Sequence, residues 1–396
     1  MKCALNCAPI RKSHTKTEMS ENQRFTKNTR VLKAGVFSVL SLFFAMQLGA
    51  VSQEGHEKHN DAQHEITPST ESTEHSTESH QSEGFNPGTM IIEHVSDAHD
   101  WHLWGEGDHA VSIPLPVIIY TESKGLTVFS SSKFHHGHAS YEGFKLNHEG
   151  QIVWEDESNE EALYDVSITK NVAAMFIGAI LLILMVTSMA KHYTKNQGKA
   201  PKGFYNLIEP LVVFLRDDVI KPNIGPRADR FMPFLLSIFF FIFILNLTGQ
   251  IPFFPGGANV TGNIAVTMVL ALFVFVTVTL SGNKYYWKHI FMPDVPVWMY
   301  IIIIPIEVLG VVLKPFVLML RLFANITAGH IIILGFFSLI FIFGAMSPTL
   351  GYAVSPLSVA FTVFMSLLEL LVAFLQAFVF TLLSAIYIGM AVEEHH

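Results

Sequence analysis

Two apolar stretches near the C-terminus, residues 297–345 and 357–391, constrain this chain more than anything else in it. Both are longer than the roughly 20 residues that cross a hydrocarbon core upright. As one helix, 297–345 would reach about 73 Å at 1.5 Å per residue, against a core of about 30 Å. It must therefore lie tilted or bent in a bilayer, and Pro305 and Pro315 are expected to kink it. Composition agrees: 50% of the 396 residues are hydrophobic and only 15% are charged. That balance excludes an ordinary soluble domain and predicts a polytopic membrane protein.

Inside the first stretch stands Arg321. Its guanidinium is planar and stays protonated at any working pH. At bilayer depth it costs at least about 2.5–3.5 kcal/mol. An arginine near a helix end could instead snorkel to the headgroups. Apolar residues run on for more than a turn on both sides, which favours a fixed cation inside the membrane. Such a group cannot pass a proton along; it can only pair with, repel or discharge something that can. Residues seven apart on a helix lie almost on one line. Glu307, Lys314, Arg321 and Ala328 have that spacing, and Asn325 follows Arg321 by four. A polar stripe of this kind needs a water-filled cavity or a polar partner. His330 lies half a turn out of phase and faces elsewhere.

The second stretch answers the first. Ser366, Glu369 and Gln376 share one helical face, which Ser384 and Tyr387 continue. A buried acid satisfied by one neighbour is the plainer explanation of Glu369. An ionisable residue within a membrane helix is nonetheless a functional-site candidate by default.

The run Leu-Arg-Leu-Phe-Ala-Asn-Ile-Thr-Ala-Gly-His (320–330), with Leu-Gln-Ala-Phe at 375–378 and the ending from Ile386 to His396, resembles the a subunit of rotary F-type ATP synthases. The similarity covers roughly residues 165–396. It implies a stator subunit that provides two half-channels and loads and unloads protons on carboxyls of a rotor ring. Arg321 would be the essential cation between the half-channels, with Glu369, His330, Asn325, Gln376, Ser366 and Ser384 along the proton path. It also implies the c-subunit ring, the b subunit of the peripheral stalk, the ATP synthase holoenzyme and the lipid bilayer as partners. No nucleic acid, cofactor or metal is implied, and the subunit is not catalytic alone. Many bacterial members carry Glu where this chain has His330 and His where it has Glu369; here the two are exchanged.

From the N-terminus, residues 1–33 are polar and basic, and 34–50 form an apolar run too short for a comfortable span. Basic residues Arg24, Lys27, Arg30 and Lys33 precede it, and small residues near Ala50 follow. Residues 1–52 are expected to be a signal peptide with a long n-region, Met19 being an alternative start and a retained anchor the alternative fate. Both cysteines, Cys3 and Cys7, precede the run, so a cleaved chain would have no thiol chemistry. Residues 53–85 are rich in His, Glu and Ser and should be disordered. His56, His59, His64, His75 and His80 could scavenge metal, but their irregular spacing favours a solvated tail. Residues 86–165 predict a small β-rich extramembrane module with strands at 111–120, 125–129 and 150–154. His135, His136 and His138 fit a surface loop better than a metal site.

Residues 166–396 form the membrane domain. Residues 171–190 make the first clear span, and a basic segment follows: Lys191, Lys195, Lys199, Lys202, Arg216, Lys221, Arg227 and Arg230. Positive charge marks the cytoplasmic side, which places the N-terminal module outside and the C-terminus inside a bacterial inner membrane. Residues 203–220 predict an interfacial helix. Further spans are expected at 231–247, 263–282, 297–345 and 357–391, with an uncharged turn at 347–356. The fold class is therefore an all-α polytopic membrane protein of five spans, the last two long and strongly tilted, with an N-terminal disordered and β-rich extension. Two other functions fit parts of the chain. A metal-ion transporter with a His-rich tail calls for His and Asp pairs at i, i+4 in its membrane helices, and none is found. A structural anchor displaying the β module leaves Arg321 and Glu369 unexplained.

Overall fold

The computed structural model describes residues 95–393 except 105–110, 138, 148–149, 157, 160, 197–202, 252–253, 255 and 294, together with Gly88, Ile91 and Ile92. The leader at 1–52, the tail at 53–85, His138, Lys199, Lys202 and residues 394–396 lie outside the described residues.

Among the described residues, seven short strands precede the long helices. Strand β1 (Asp100–Trp104) pairs antiparallel with β2 (Val111–Pro114), with Trp101 opposite Ile113. The next strand, β3 (Pro116–Thr121), is flanked by β4 (Gly125–Ser130) and β7 (Tyr164–Asp165), and β5 (Phe144–Leu146) pairs with β6 (Ile152–Trp154). The single strand expected over 111–120 is divided at Leu115. Pro114 and Pro116 bring no N–H to a ladder, which confines such residues to strand ends. Leu115 pairs with Ser131 instead, its N–H donating to the Ser131 hydroxyl at 3.0 Å. Val117, Ile119, Phe134, Phe144 and Ile152 form the module's own core.

The module leads directly into the helices. His99 Nε2 and Asp165 Oδ2 are 2.8 Å apart. Burial pushes the His99 pKa down, but the hydrogen bond and charge of Asp165, the charge of Asp97 and the Gly150 carbonyl outweigh it and raise it. The Asp165 pKa is lowered: burial opposes this, and the His99 hydrogen bond and charge, with Ser167, prevail. Four residues on, Thr169 caps the first long helix, its hydroxyl accepting from the Val172 N–H.

That helix is α1 (Lys170–Lys195). The interfacial helix expected at 203–220 is α2 (Phe204–Phe214), which continues through a π turn (Leu215–Ile220), the short α3 (Lys221–Ile224) and a 3-10 turn into α4 (Ala228–Gly249). Helix α5 (Ile264–Ser281) is capped by Asn263, and α6 (Lys284–Phe291) follows. Two long helices close the chain: α7 (Tyr300–Met346, 47 residues) and α8 (Pro348–Val392, 45 residues). Helix α7 is continuous through Pro305 and Pro315. The turn expected at 347–356 shrinks to Ser347, because Pro348 fits the first turn of α8, where its missing N–H is no loss. Pro356 sits inside α8, and the Ser355 hydroxyl caps the Gly351 carbonyl nearby at 2.7 Å.

Among the described residues, five helical segments are long and apolar enough to cross a membrane: 170–195, 204–249, 264–281, 300–346 and 348–392. The fold is thus that of a mainly helical, polytopic membrane protein. Small residues set the closest approaches, as expected where lipid removes the hydrophobic drive between helices. A Cβ on Gly178 of α1 would stand 2.6 Å from Leu245 of α4. One on Gly351 of α8 would stand 2.8 Å from Gly344 of α7. At the far end, Asn283 before α6 donates to the Ala391 and Val392 carbonyls of α8 and accepts from Arg227.

Candidate functional site

The charged stripe and the acid lie on α7 and α8, which pack along a common seam. On α7, Leu318, Leu322 and Ile326 turn inward and are buried. The helical period then turns Arg321, Asn325 and Ala328 outward, and all three are exposed. Lys314 lies a helical repeat earlier, half-buried, with Nζ 5.4 Å from the ring centre of Tyr387 on α8. The charge of Arg321 also reaches Tyr387. A small cavity beneath is lined by Tyr286, Lys314, Leu318 and Tyr387.

His330 and Glu369 meet across the seam. Nδ1 of His330 is 3.6 Å from Oε1 of Glu369, and the side chains are 15% and 6% exposed. An ion pair forms across the seam when the imidazole is protonated and the carboxyl ionised. Gly329 makes this approach possible: a Cβ there would stand 2.9 Å from Glu369 Oε1. The remaining expected residues separate. Gln376 and Ser384 are buried on α8, Ser384 donating to the Phe380 carbonyl of its own helix. Ser366 is exposed and donates to the Thr362 carbonyl; the structure does not bring it to Glu369's buried side.

Several polar residues around the acid escaped the sequence reading. Gln250 Nε2 donates to the Glu369 carbonyl at 2.9 Å. Asn246 on α4 donates to the Ala373 carbonyl of α8 and accepts from the Thr261 hydroxyl at 2.7 Å. Thr327 of α7 donates to the Gly262 carbonyl at 3.3 Å. Asn259 is 4% exposed, and neither atom of its amide meets a protein partner. The signal was faint: Asn246 is one amide in an apolar run, and Gln250, Asn259 and Thr261 lie in an uncharged loop. The contacts of Gln250 and Asn246 with α8 depend on long-range packing. Among the described residues, no group of three or more His, Cys, Asp or Glu is placed to hold a metal ion.

Comparison with known proteins gives two family matches. Residues 90–173 match a family described as a domain of unknown function (DUF8433). Residues 172–389, more than half of the chain, match the family described as ATP synthase A chain. Among curated relatives, the ATP synthase subunit a of Chloroherpeton thalassium is 48% identical over 242 residues, 59% of this chain and 69% of that protein. Its counterpart in Chlorobium phaeobacteroides is 45% identical over 241 residues, 59% and 68% of the two chains. That of Myxococcus xanthus is 42% identical over 239 residues, 59% and 75%. With an outward arginine on one long helix, a buried acid–imidazole couple on its seam and these matches, the chain belongs to the ATP synthase A chain family.

Proposed function

We propose that Arg321 is the fixed cation of this proton-channel stator subunit, and that Glu369 with His330 forms the proton-exchanging couple of one half-path. One observation carries this: Arg321 and Asn325 face away from the chain's own packing, while His330 and Glu369 meet in its interior. An outward cation at membrane depth calls for an anionic partner from another subunit. The ring of c subunits in the ATP synthase membrane sector supplies it, one carboxyl at a time. A nearby fixed cation favours the ionised form of a carboxyl. A rotor acid arriving at Arg321 therefore gives up its proton to one half-path, and after nearly a full turn it is reloaded from the other. The same charge repels protons and blocks a direct leak between the half-paths. The membrane potential contributes about 2.3 kcal/mol per charge per 100 mV. Asn325 shares the outward face with Arg321, and the buried Gln376 and Ser384 line the α8 side. The subunit makes no ATP itself; it couples proton flow to rotation. A metal-transporter function finds no support.

The basic residues Lys191, Lys195, Arg216, Lys221, Arg227 and Arg230 favour a cytoplasmic location for the end opposite the β module, in a bacterial inner membrane. The C-terminus then lies inside and the module outside. On the same reading residues 1–52 are a cleaved signal peptide. The b subunit of the peripheral stalk is a further partner, for which exposed Ile180, Leu181 and Leu184 of α1 offer an apolar surface. The test is ATP synthesis driven by an imposed proton gradient, measured with passive proton permeability in vesicles of verified assembly. Arg321→Ala should abolish synthesis and raise the leak; substantial synthesis would refute the assignment.

A further inference from the structure

Where the β module joins the helical body, one histidine stands between two aspartates and the start of α1. His99 is 9% exposed. Its Nε2 is 2.8 Å from Asp165 Oδ2 on β7, and its Nδ1 is 3.1 Å from the Gly150 carbonyl oxygen. The Asp165 pKa is lowered despite burial, and its other oxygen accepts from the Ser167 N–H at 2.9 Å, so it stands as a carboxylate. A carbonyl and a carboxylate can only accept hydrogen bonds. A neutral imidazole offers one N–H; the imidazolium offers two. Both contacts are therefore satisfied together only when His99 carries a proton on each nitrogen.

The same segment holds the first turn of α1. Asp97 Oδ1 accepts from the Ala98 and Asn171 N–H groups, each at 3.0 Å. The Lys170 N–H donates to the Ala98 carbonyl at 2.8 Å. Two of the helix's unpaired N-terminal donors are thus met from the segment that carries His99. The charges facing His99 are Asp165 from β7 and Asp97 from its own segment, and Lys170 lies in the fields of Asp97 and Asp100. Deprotonating His99 leaves Asp97, Asp100 and Asp165 with Lys170 as the only cation of this group.

We propose that His99 is a proton-operated latch: as imidazolium it ties the segment before β1 to β7 and to the first turn of α1, and on losing its proton it lets that joint loosen. The joint lies at the module end of α1, so the latch reads the pH of the solution on the module's side. The latch is closed below the ordinary imidazole value of about 6.5 and opens as pH rises through the raised value of His99, at which burial is outweighed by Asp165, Asp97 and the Gly150 carbonyl. Arg321 and the His330–Glu369 couple take no part, so the latch is independent of the proton path proposed above.

The test is amide hydrogen exchange of the assembled enzyme between about pH 5.5 and 9, corrected for the intrinsic pH dependence of exchange. The reporter peptides cover residues 164–173, whose Val166, Ser167, Ile168, Lys170 and Asn171 N–H groups are all hydrogen-bonded. Their protection should fall roughly threefold to tenfold as pH rises past the titration of His99. His99→Gln, which has no second charge state, should remove that step. Asp165→Asn keeps an acceptor and removes the charge, so the step should move to lower pH by about one unit or more. Asp97→Asn should move it the same way by less, and carries the same measurement should Asp165→Asn fail to assemble. Peptides of α4 over 235–245 should show no step; a step of equal size there would mean general loosening and overturn a local latch. Flat protection across the range, a step that persists in His99→Gln, or an unmoved midpoint in the aspartate variants would likewise overturn it.

Discussion

Segments α2–α4 and helix α7 are both strongly apolar and of nearly equal length, yet they meet different surroundings. In the most apolar window of 204–249, 67% of residues are buried within the chain; in that of α7 only 6% are. Phe239, Ile242 and Leu245 of α4 have no appreciable exposure, whereas Ile301 of α7 is 81% exposed. Apolar composition specifies a membrane environment, but it does not say whether lipid, another helix or another subunit will cover a given face. Helix α4 is the chain's own core. Helix α7 offers its face, and the charge on it, to something else.

The strongest way to break this comparison is to remove the charge from the bare face. A carboxylate left unpaired at bilayer depth is disfavoured by about 2.5–3.5 kcal/mol, so Arg321→Ala should slow gradient-driven ATP synthesis by roughly a hundredfold or more. Arg321→Lys keeps a charge but loses the planar fork, and should retain little coupling. Asn325→Ala should slow synthesis without abolishing it.

The next effect falls on the buried side and reads out as stability. Leu235→Ala in α4 leaves a cavity at a fully buried site, and its packing loss should destabilise the subunit by about 1–3 kcal/mol. Val312→Ala, on the exposed face of α7, should leave the melting temperature in detergent nearly unchanged. Similar losses at both sites would erase the distinction between the helices.

Where the two regimes meet, the seam can be overfilled. Gly329→Ala places a methyl 2.9 Å from Glu369 Oε1 and should separate the acid from His330, at a cost of about 1–2 kcal/mol and roughly a tenfold loss of proton pumping. His330→Glu alone should impair pumping more than the double change with Glu369→His. Equal losses in the single and double variants would argue against a working couple.

The smallest effect belongs to the module's attachment. His99 has a raised pKa, so its contribution is complete below its ordinary value of about 6.5 and fades as pH rises through the raised one. Asp165 has a lowered pKa, so its contribution holds above about 3.9 and fades as pH falls through the lowered value. The other charges around the pair are Asp97, which also faces His99, and Lys170, which shares the fields of Asp97 and Asp100. Proteolysis of the module should accelerate modestly above neutral pH, and His99→Gln should flatten that rise.

Much of this was legible in the sequence. Long apolar runs fix the number of membrane helices, because unpaired backbone groups cannot be left in lipid. The 3.6-residue period fixes which residues share a face, so Arg321 and Asn325 fall together and His330 falls elsewhere. A lone arginine in such a run is too costly to be incidental. Tertiary structure alone decided that His330 and Glu369 stand 3.6 Å apart, that Ser366 turns away, and that Gln250 and Asn246 bond to α8, with Thr261 behind Asn246. It also decided that Trp101 hydrogen-bonds to Gly256, 155 residues away in sequence. Periodicity is a property of one helix and can be read along the chain. Contacts between helices depend on where glycines allow approach and how each helix is rotated about its axis, and many residues distant in sequence settle those together.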